Sequence, residues 1–110
     1  MGLDPRFEPW VTWLLQQTAS AQLTSGFRSP TMQRKLYRRF LNGVHPFPVL
    51  PPGRSKHEKG LAVDLFAEPE ELARLGAIWR KAGGIWGGSQ DPIHFEAGPS
   101  MLGRGRSRPT

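Results

Sequence analysis

The sequence predicts an α+β fold in which a small antiparallel sheet is flanked by about three helices. The chain has 110 residues, which fits one packed domain and leaves little room for a second. Hydrophobic residues make up 37% of the chain, which is ordinary for a globular protein. Helix-like and strand-like segments are segregated, follow one another in irregular order and show no internal repeat. That order favours the α+β class.

Three segments carry helical signals. Residues 9–21 place tryptophans and other apolar residues at helical spacing, and we expect those tryptophans to pack in the core. The second helix has Ser29 as its cap, Pro30 in its first position and Gly43 as its end. Residues 68–82 begin with acidic and end with basic side chains, which complement a helix dipole.

Three short segments predict strands, at residues 23–27, 61–66 and 93–97. Residues 44–54 contain four prolines and cannot form regular structure. We expect this segment to be a surface connection, long enough to form one wall of a cleft. Its histidine, His45, is predicted to be a solvated side chain outside the site.

The chain is basic, with 15 Lys and Arg against 9 Asp and Glu, a formal charge of +6. Such a charge favours polyanionic partners, which include nucleic acid, anionic lipid and acidic cell-wall polymers. No nucleic-acid-binding motif accompanies it, so we expect no nucleic-acid partner. Part of the excess lies in residues 98–110, predicted to be a flexible basic tail rich in Gly, Arg, Ser and Pro, after a single domain at residues 1–97.

The chain has no cysteine, so disulfides and thiolate zinc sites are excluded, and any metal ion must be held by His, Asp or Glu. The apolar run at residues 11–15 is too short for the core of a signal peptide, and no stretch approaches the length of a membrane span. We therefore expect synthesis in the cytoplasm, with no visible signal peptide and no membrane span. We also expect the chain to be a monomer.

Two motifs predict a metal site: SKHEKGLAVD at residues 55–64 and DPIHFE at residues 91–96. They supply His57, Asp64 and His94, and two histidines with one carboxylate are a ligand set of catalytic zinc. Taken singly, each of the three has an ordinary structural explanation, but their joint spacing favours a site.

The second motif also carries a separate carboxylate, Asp91, three residues before His94. Zinc lowers the pKa of its bound water to about 7. A hydrolase then needs another group to take the proton of the water and pass it to the leaving amine. Asp91 is placed for that role.

The pattern Ser-x-His-x-x-Gly-x-Ala-x-Asp followed by a His-Phe-Glu strand resembles the M15 peptidases. These are the zinc D-alanyl-D-alanine carboxypeptidases of the VanY type and the L-alanyl-D-glutamate endopeptidases of phage endolysins. The resemblance runs over residues 23–97. It implies a hedgehog/DD-peptidase-like fold, one Zn²⁺ ion held by His57, Asp64 and His94, peptidoglycan as the substrate, and action at the bacterial cell wall.

The resemblance also implies roles for residues around the metal. Asp91 falls at the catalytic carboxylate, and Arg28, in the motif SGFRS, falls where an arginine binds and polarises the substrate. Ser55 and Gln33 match positions with supporting or structural roles. Trp86, in a Gly-rich turn, resembles a tryptophan that lies beside the cleft.

Two alternatives stay open. VanY-type carboxypeptidases usually carry Glu where this chain has Asp91, so the sequence favours an L-Ala-D-Glu endopeptidase over a D-Ala-D-Ala carboxypeptidase without deciding between them. The second alternative is a non-catalytic zinc-containing binding module, as in hedgehog signalling domains, and the presence of Asp91 and Arg28 argues against it. The basic surface and tail further suggest attraction to anionic wall polymers.

Overall fold

The computed structural model describes residues 2–103 of the chain. These residues form three α-helices and one four-stranded sheet, so the predicted α+β class is confirmed. In chain order the elements are α1 (Glu8–Gln16), β1 (Gln22–Ser25), α2 (Pro30–Leu41), β2 (Ala62–Phe66), α3 (Pro69–Lys81), β3 (Ile85–Gly87) and β4 (Asp91–Glu96).

The sheet has the strand order β1-β2-β4-β3, and every neighbouring pair is antiparallel. β2 and β4 lie at its centre, where Val63 pairs with Phe95 and Asp64 pairs with His94. β3 lies within the predicted Gly-rich turn and was not expected. Its three residues carry too little pattern to predict a strand, which forms only by pairing with β4.

One face of the sheet packs against α1 and α3. Because side chains alternate along a strand, Val63, Leu65 and Phe95 share this face, and all three are fully buried. Trp10 of α1 and Trp79 of α3 are buried in the same cluster. The predicted core role of the α1 tryptophans is therefore confirmed for Trp10, and Trp13 packs half-buried against the cluster.

α1 ends at Gln16, five residues before the predicted end of the helix at residue 21. The hydroxyl of Thr18 accepts hydrogen bonds from the backbone N–H groups of Ser20 and Ala21. Such local bonds satisfy the backbone without a helix, which explains the early end.

The boundaries of α2 follow the prediction. The Ser29 side chain accepts a hydrogen bond from the Met32 backbone N–H at 3.2 Å, and Pro30 occupies the first turn. The helix ends at Leu41, and Gly43 takes a left-handed conformation with φ of 73°. Residues 44–54 contain no helix or strand, as predicted.

The packed part of the chain extends past residue 97, the predicted end of the domain. Met101 is fully buried in the core, and its carbonyl accepts a hydrogen bond from Nε1 of Trp10 at 3.1 Å. Residues 104–110, which form the rest of the predicted tail, lie outside the described residues. No helix of residues 2–103 combines the length and the apolar character that crossing a membrane requires.

Candidate active site

The second face of the sheet forms the floor of a cleft of about 390 Å³. α2 and the irregular segment 44–54 form its wall, as expected for that segment from its length. Gln33 and Phe40 reach it from α2, and the segment contributes Val49 and Leu50. The sequence-predicted metal ligands all line this cleft.

His57 is held by a short 3-10 helix, Lys56–Lys59. The Ser55 hydroxyl caps this helix by accepting a hydrogen bond from the His57 backbone N–H at 3.2 Å. Gly60 ends it in a left-handed conformation, where a Cβ atom would lie 2.8 Å from the backbone nitrogen of Asp4. The imidazole Nδ1–H donates to the Gly26 carbonyl at 2.8 Å, so the lone pair of Nε2 faces the cleft.

His94 is oriented by a carboxylate on its own strand. Glu96 lies two residues further along β4, on the same face, and its Oε1 atom accepts a hydrogen bond from Nε2–H of His94 at 2.8 Å. The other ring nitrogen, Nδ1, lies 3.7 Å from Oδ1 of Asp64 on the neighbouring strand. That carboxylate oxygen also lies 3.2 Å from Nε2 of His57.

The potential ligand atoms of His57, Asp64 and His94 all lie within 4.8 Å of one another. Three lone pairs that converge at one point repel each other unless a cation lies between them. Tetrahedral zinc sites place ligand atoms about 2.0–2.2 Å from the ion, and therefore about 3.3–3.6 Å from one another. The two distances from Asp64, 3.2 and 3.7 Å, are close to that geometry, so the three side chains fit a zinc ion.

The electrostatics of the cluster agree with this geometry. Burial disfavours the ionised form of Asp64, but the neighbouring His57 and His94 rings and the charge of Arg28 outweigh it and hold its pKa well below the ordinary value. Burial also disfavours the charged form of His94. The carboxylates of Asp64 and Glu96 nevertheless raise the pKa of His94 to about 9. In the metal-free protein, a proton on His94 therefore supplies the positive charge that the cluster requires.

Arg28 lies beside the cluster and is buried. Its Nη2 donates to Oδ2 of Asp64 at 2.5 Å, Nη1 donates to Oε1 of Gln33 at 3.2 Å, and Nε donates to the Ser25 hydroxyl at 3.0 Å. The amide of Gln33 in turn donates to the Leu50 carbonyl at 2.7 Å. Arg28 and Gln33 thus join the metal cluster to the cleft wall, and Arg28 contacts a predicted ligand as well as the cleft.

Asp91 begins β4 and lines the cleft near the predicted ligands. Residues three apart on a regular strand face opposite sides, so a regular β4 would not bring Asp91 and His94 into one cleft. The pairing of β3 and β4 is irregular between Trp86 and Gly87, and Gly87 is the residue that pairs with Asp91. Such irregularities re-aim side chains. Burial raises the pKa of Asp91, and the nearby Asp64 adds to this effect while His94 opposes it.

Trp86, which the resemblance places beside the cleft, is not among the residues that line it. Its ring packs on Gly76 of α3, where a Cβ atom would lie only 2.2 Å from it, and against Phe95 of the core. Its Nε1 donates to the Pro92 carbonyl at 2.8 Å. Trp86 therefore supports the start of β4 from the core side.

Among the lining residues that received no role from the sequence are Glu96 and His45. Glu96 belongs to the quoted motif, and its spacing of two from His94 on a strand was the available signal. His45 lines the cleft and is half-buried, whereas it was predicted to be a solvated residue outside the site. Nothing in its local sequence gives this position, because it depends on how segment 44–54 folds over the sheet.

A family model described as D-alanyl-D-alanine carboxypeptidase, VanY, matches residues 7–84 of the chain. This match includes Arg28, His57 and Asp64, whereas Asp91 and His94 lie beyond it. No curated protein sequence is significantly similar to the chain.

Solved structures share the fold. A variant of the vancomycin resistance D,D-pentapeptidase VanY from a VanB-type resistance cassette, in complex with Zn(II), has a TM-score of 0.67 at 21% identity, covering 92% of this chain and 73% of its own. The L-Ala D-Glu endopeptidase ChiX of Serratia marcescens has a TM-score of 0.65 at 23% identity, covering 87% of this chain and 80% of its own. The L,D-carboxypeptidase DacB of Streptococcus pneumonia has a TM-score of 0.66 at 23% identity, covering 91% of this chain and 69% of its own.

The family match covers well over half of the chain, and the described fold is the one these structures share. The resemblance seen in the motifs is thereby confirmed at the level of the family. The chain belongs to the VanY family of M15 metallopeptidases, which act on peptidoglycan.

Proposed function

We propose that the chain is a zinc-dependent peptidoglycan peptidase that hydrolyses the L-Ala–D-Glu bond of stem peptides. The observation that carries the proposal is the convergence of His57 Nε2, Asp64 Oδ1 and His94 Nδ1 on the floor of the cleft that Asp91 also lines. These three side chains would hold one zinc ion. Bound there, zinc would supply Lewis acidity and a water of lowered pKa.

The proposed roles of the other residues follow from their contacts. Asp91 is half-buried, and a raised pKa makes it a better proton acceptor than an ordinary carboxylate. It accepts the proton of the attacking water and returns it to the departing amine. Three of the five N–H groups of Arg28 are used by Ser25, Gln33 and Asp64. The remaining two can donate to the carbonyl oxygen of the scissile bond.

The choice of bond rests on the cations of the cleft. A carboxypeptidase needs a group that binds the terminal carboxylate of its substrate. Of the Lys and Arg residues among the described lining of the cleft, Arg28 is bonded to Asp64, and Lys56 is exposed at the mouth. Neither is a buried, unpaired cation, which supports an endopeptidase. The family model, described as a D-alanyl-D-alanine carboxypeptidase, favours the second candidate, a D-Ala-D-Ala carboxypeptidase.

One soluble substrate separates the two candidates. The pentapeptide L-Ala-γ-D-Glu-L-Lys-D-Ala-D-Ala releases free L-alanine when its first bond is cut and free D-alanine when its last bond is cut. We expect L-alanine and a tetrapeptide by mass spectrometry, with activity lost on chelation and restored by zinc. Release of D-alanine alone would establish the carboxypeptidase instead.

Asp91→Ala tests the proposed mechanism. Loss of a general base typically lowers kcat by about 10²- to 10⁴-fold, and we expect a loss in this range with bound zinc unchanged. Glu70→Ala, on the exposed start of α3, is the matched control and should keep full activity. If Asp91→Ala were as active as this control, the proposed role of Asp91 would be wrong. A protein with stoichiometric zinc that cleaves neither bond would instead be a binding module of the same fold.

A further inference from the structure

The outer face of α2 is a continuous band of positive charge, formed by Arg34, Lys35, Arg38 and Arg39. All four side chains are exposed. Successive helical residues are about 100° apart, so the four lie within roughly 140° of one another. Gln33 and Phe40, which line the cleft, lie on the opposite side of the helix. We call the four residues the α2 basic band.

This band has no acidic partner in its own surroundings. Residues 26–57 contain no Asp or Glu. None of the four cations takes part in an ion pair among residues 2–103, whereas exposed Arg6 pairs with Asp4 and exposed Arg74 pairs with Glu71. Among residues 2–103, four positive charges without an ion-pair partner are therefore concentrated on one helix face.

The arrangement of the band works against its own helix. Residues four apart on a helix are neighbours, and like charges at this spacing are destabilising. The band contains two such pairs, Arg34 with Arg38 and Lys35 with Arg39. Because no described carboxylate compensates this repulsion, an external polyanion along the face would relieve it.

We propose that the α2 basic band binds a phosphate-bearing polymer of the bacterial cell wall while the cleft engages the neighbouring peptide. The proposal rests on the action of the family on peptidoglycan. The same helix forms the cleft wall with one side and the band with the other, and its diameter is about 10 Å. A polymer attached to the wall therefore comes within reach of the band when a stem peptide enters the cleft. Charge complementarity identifies a linear polyanion as the partner.

The test measures binding of fluorescent polyglycerol phosphate by anisotropy, as a function of salt, to the full chain and to a variant with the changes R34Q, K35Q, R38Q and R39Q. We expect the variant to bind about tenfold or more weakly at 50 mM salt, with a shallower dependence of log K on log salt. The probe contains no peptide bond. Its result is therefore independent of whether the chain cleaves the pentapeptide.

A second variant, with R6Q, R74Q, R80Q and K81Q, is the matched control. It carries the same net charge but keeps the band, and we expect it to bind within about twofold of the parent chain. Equal loss in both variants, or no binding by the parent, would overturn the proposal. Tighter binding to DNA of equal charge than to polyglycerol phosphate would also overturn it and identify a nucleic-acid surface.

Circular dichroism and thermal melting check that both variants fold. Removal of like-charge repulsion should leave α2 intact. If the variant of the α2 basic band nevertheless failed to fold, a variant with R34K, R38K and R39K tests the same surface without loss of charge. It should bind as the parent does, and a tenfold loss in it would overturn a proposal based on charge.

Discussion

The two faces of the central strands, β2 and β4, have different roles. On one face Val63, Leu65 and Phe95 are fully buried against α1 and α3. On the other face the ligand atoms of Asp64 and His94 point toward each other in the cleft, whose wall is formed by α2 and segment 44–54. The α3 face is packed with Leu72, Leu75 and Trp79, whereas the buried side chain of α2 is the polar Gln33.

Along each central strand, residues that stabilise the core are therefore direct neighbours of residues that form the candidate site. Because successive strand residues face opposite sides, a single strand supplies both a core residue and a predicted metal ligand. The core face stabilises the molecule by apolar burial. The cleft face holds polar groups that pair with one another and with Arg28, and whose ligand atoms converge on one point. Substitutions of neighbouring residues should therefore have effects of different kinds.

The sharpest comparison is between Phe95→Ala and His94→Ala. Phe95 is fully buried between Trp79 and Trp86, and its truncation should lower the free energy of unfolding by about 3–5 kcal/mol. His94→Ala should abolish zinc binding and activity while lowering the stability of the metal-free protein less than Phe95→Ala does. Urea unfolding in the presence of a chelator measures the free energy of unfolding of both variants. Equal destabilisation by the two changes would contradict the separation of the two faces.

The metal-free protein should lose stability as the pH rises. The pKa of His94 is raised from 6.5 to about 9 on folding, so the folded state binds more protons than the unfolded state between these values. The stabilisation is fully present below about pH 6.5 and is lost as the pH rises through 9, a change on the order of 2–3 kcal/mol. Urea unfolding at pH 6, 7.5 and 9 checks this, and a parallel profile in His94→Ala would refute the assignment.

Glu96→Gln tests the support behind the predicted ligand. The carboxylate orients His94 through a 2.8 Å hydrogen bond, and an amide oxygen is a weaker acceptor. Loss of such a supporting carboxylate typically weakens metal binding by about 10- to 100-fold. Competition with a zinc chelator gives the Kd. Glu70→Gln makes the same charge change on exposed α3 and should leave it unchanged. If the two variants bound zinc equally, Glu96 would have no such role.

The smallest effect concerns the start of α2. Ser29→Ala removes the hydrogen bond to the Met32 amide and should cost about 1 kcal/mol. Since α2 buries few side chains, we expect the loss as faster hydrogen exchange in its first turn, with α3 unchanged. Ser20→Ala, in the exposed turn after α1, is the control. Equal exchange in α2 of both variants would show that the cap does not limit its stability.

Local signals were sufficient for most of the helices. The Ser29 cap and the glycine after α2 predicted that helix because capping depends on adjacent residues. Local signals failed to predict the end of α1, where the Thr18 hydroxyl competes with the helix. They also failed to predict β3, whose three residues form a strand only beside β4. The predicted boundary at residue 97 missed the burial of Met101, which depends on contact with Trp10 at the other end of the chain.

The sequence by itself determined the fold class, the helices of the core and the group of His57, Asp64 and His94, because spacing and side-chain chemistry are local properties. Only the tertiary structure decided how these groups meet. Pairing of β2 with β4 sets Asp64 beside His94, the irregularity at Trp86 and Gly87 brings Asp91 to the cleft, and Trp86 turns to the core. Contacts between residues far apart in the chain depend on strand register and packing, which no local pattern encodes.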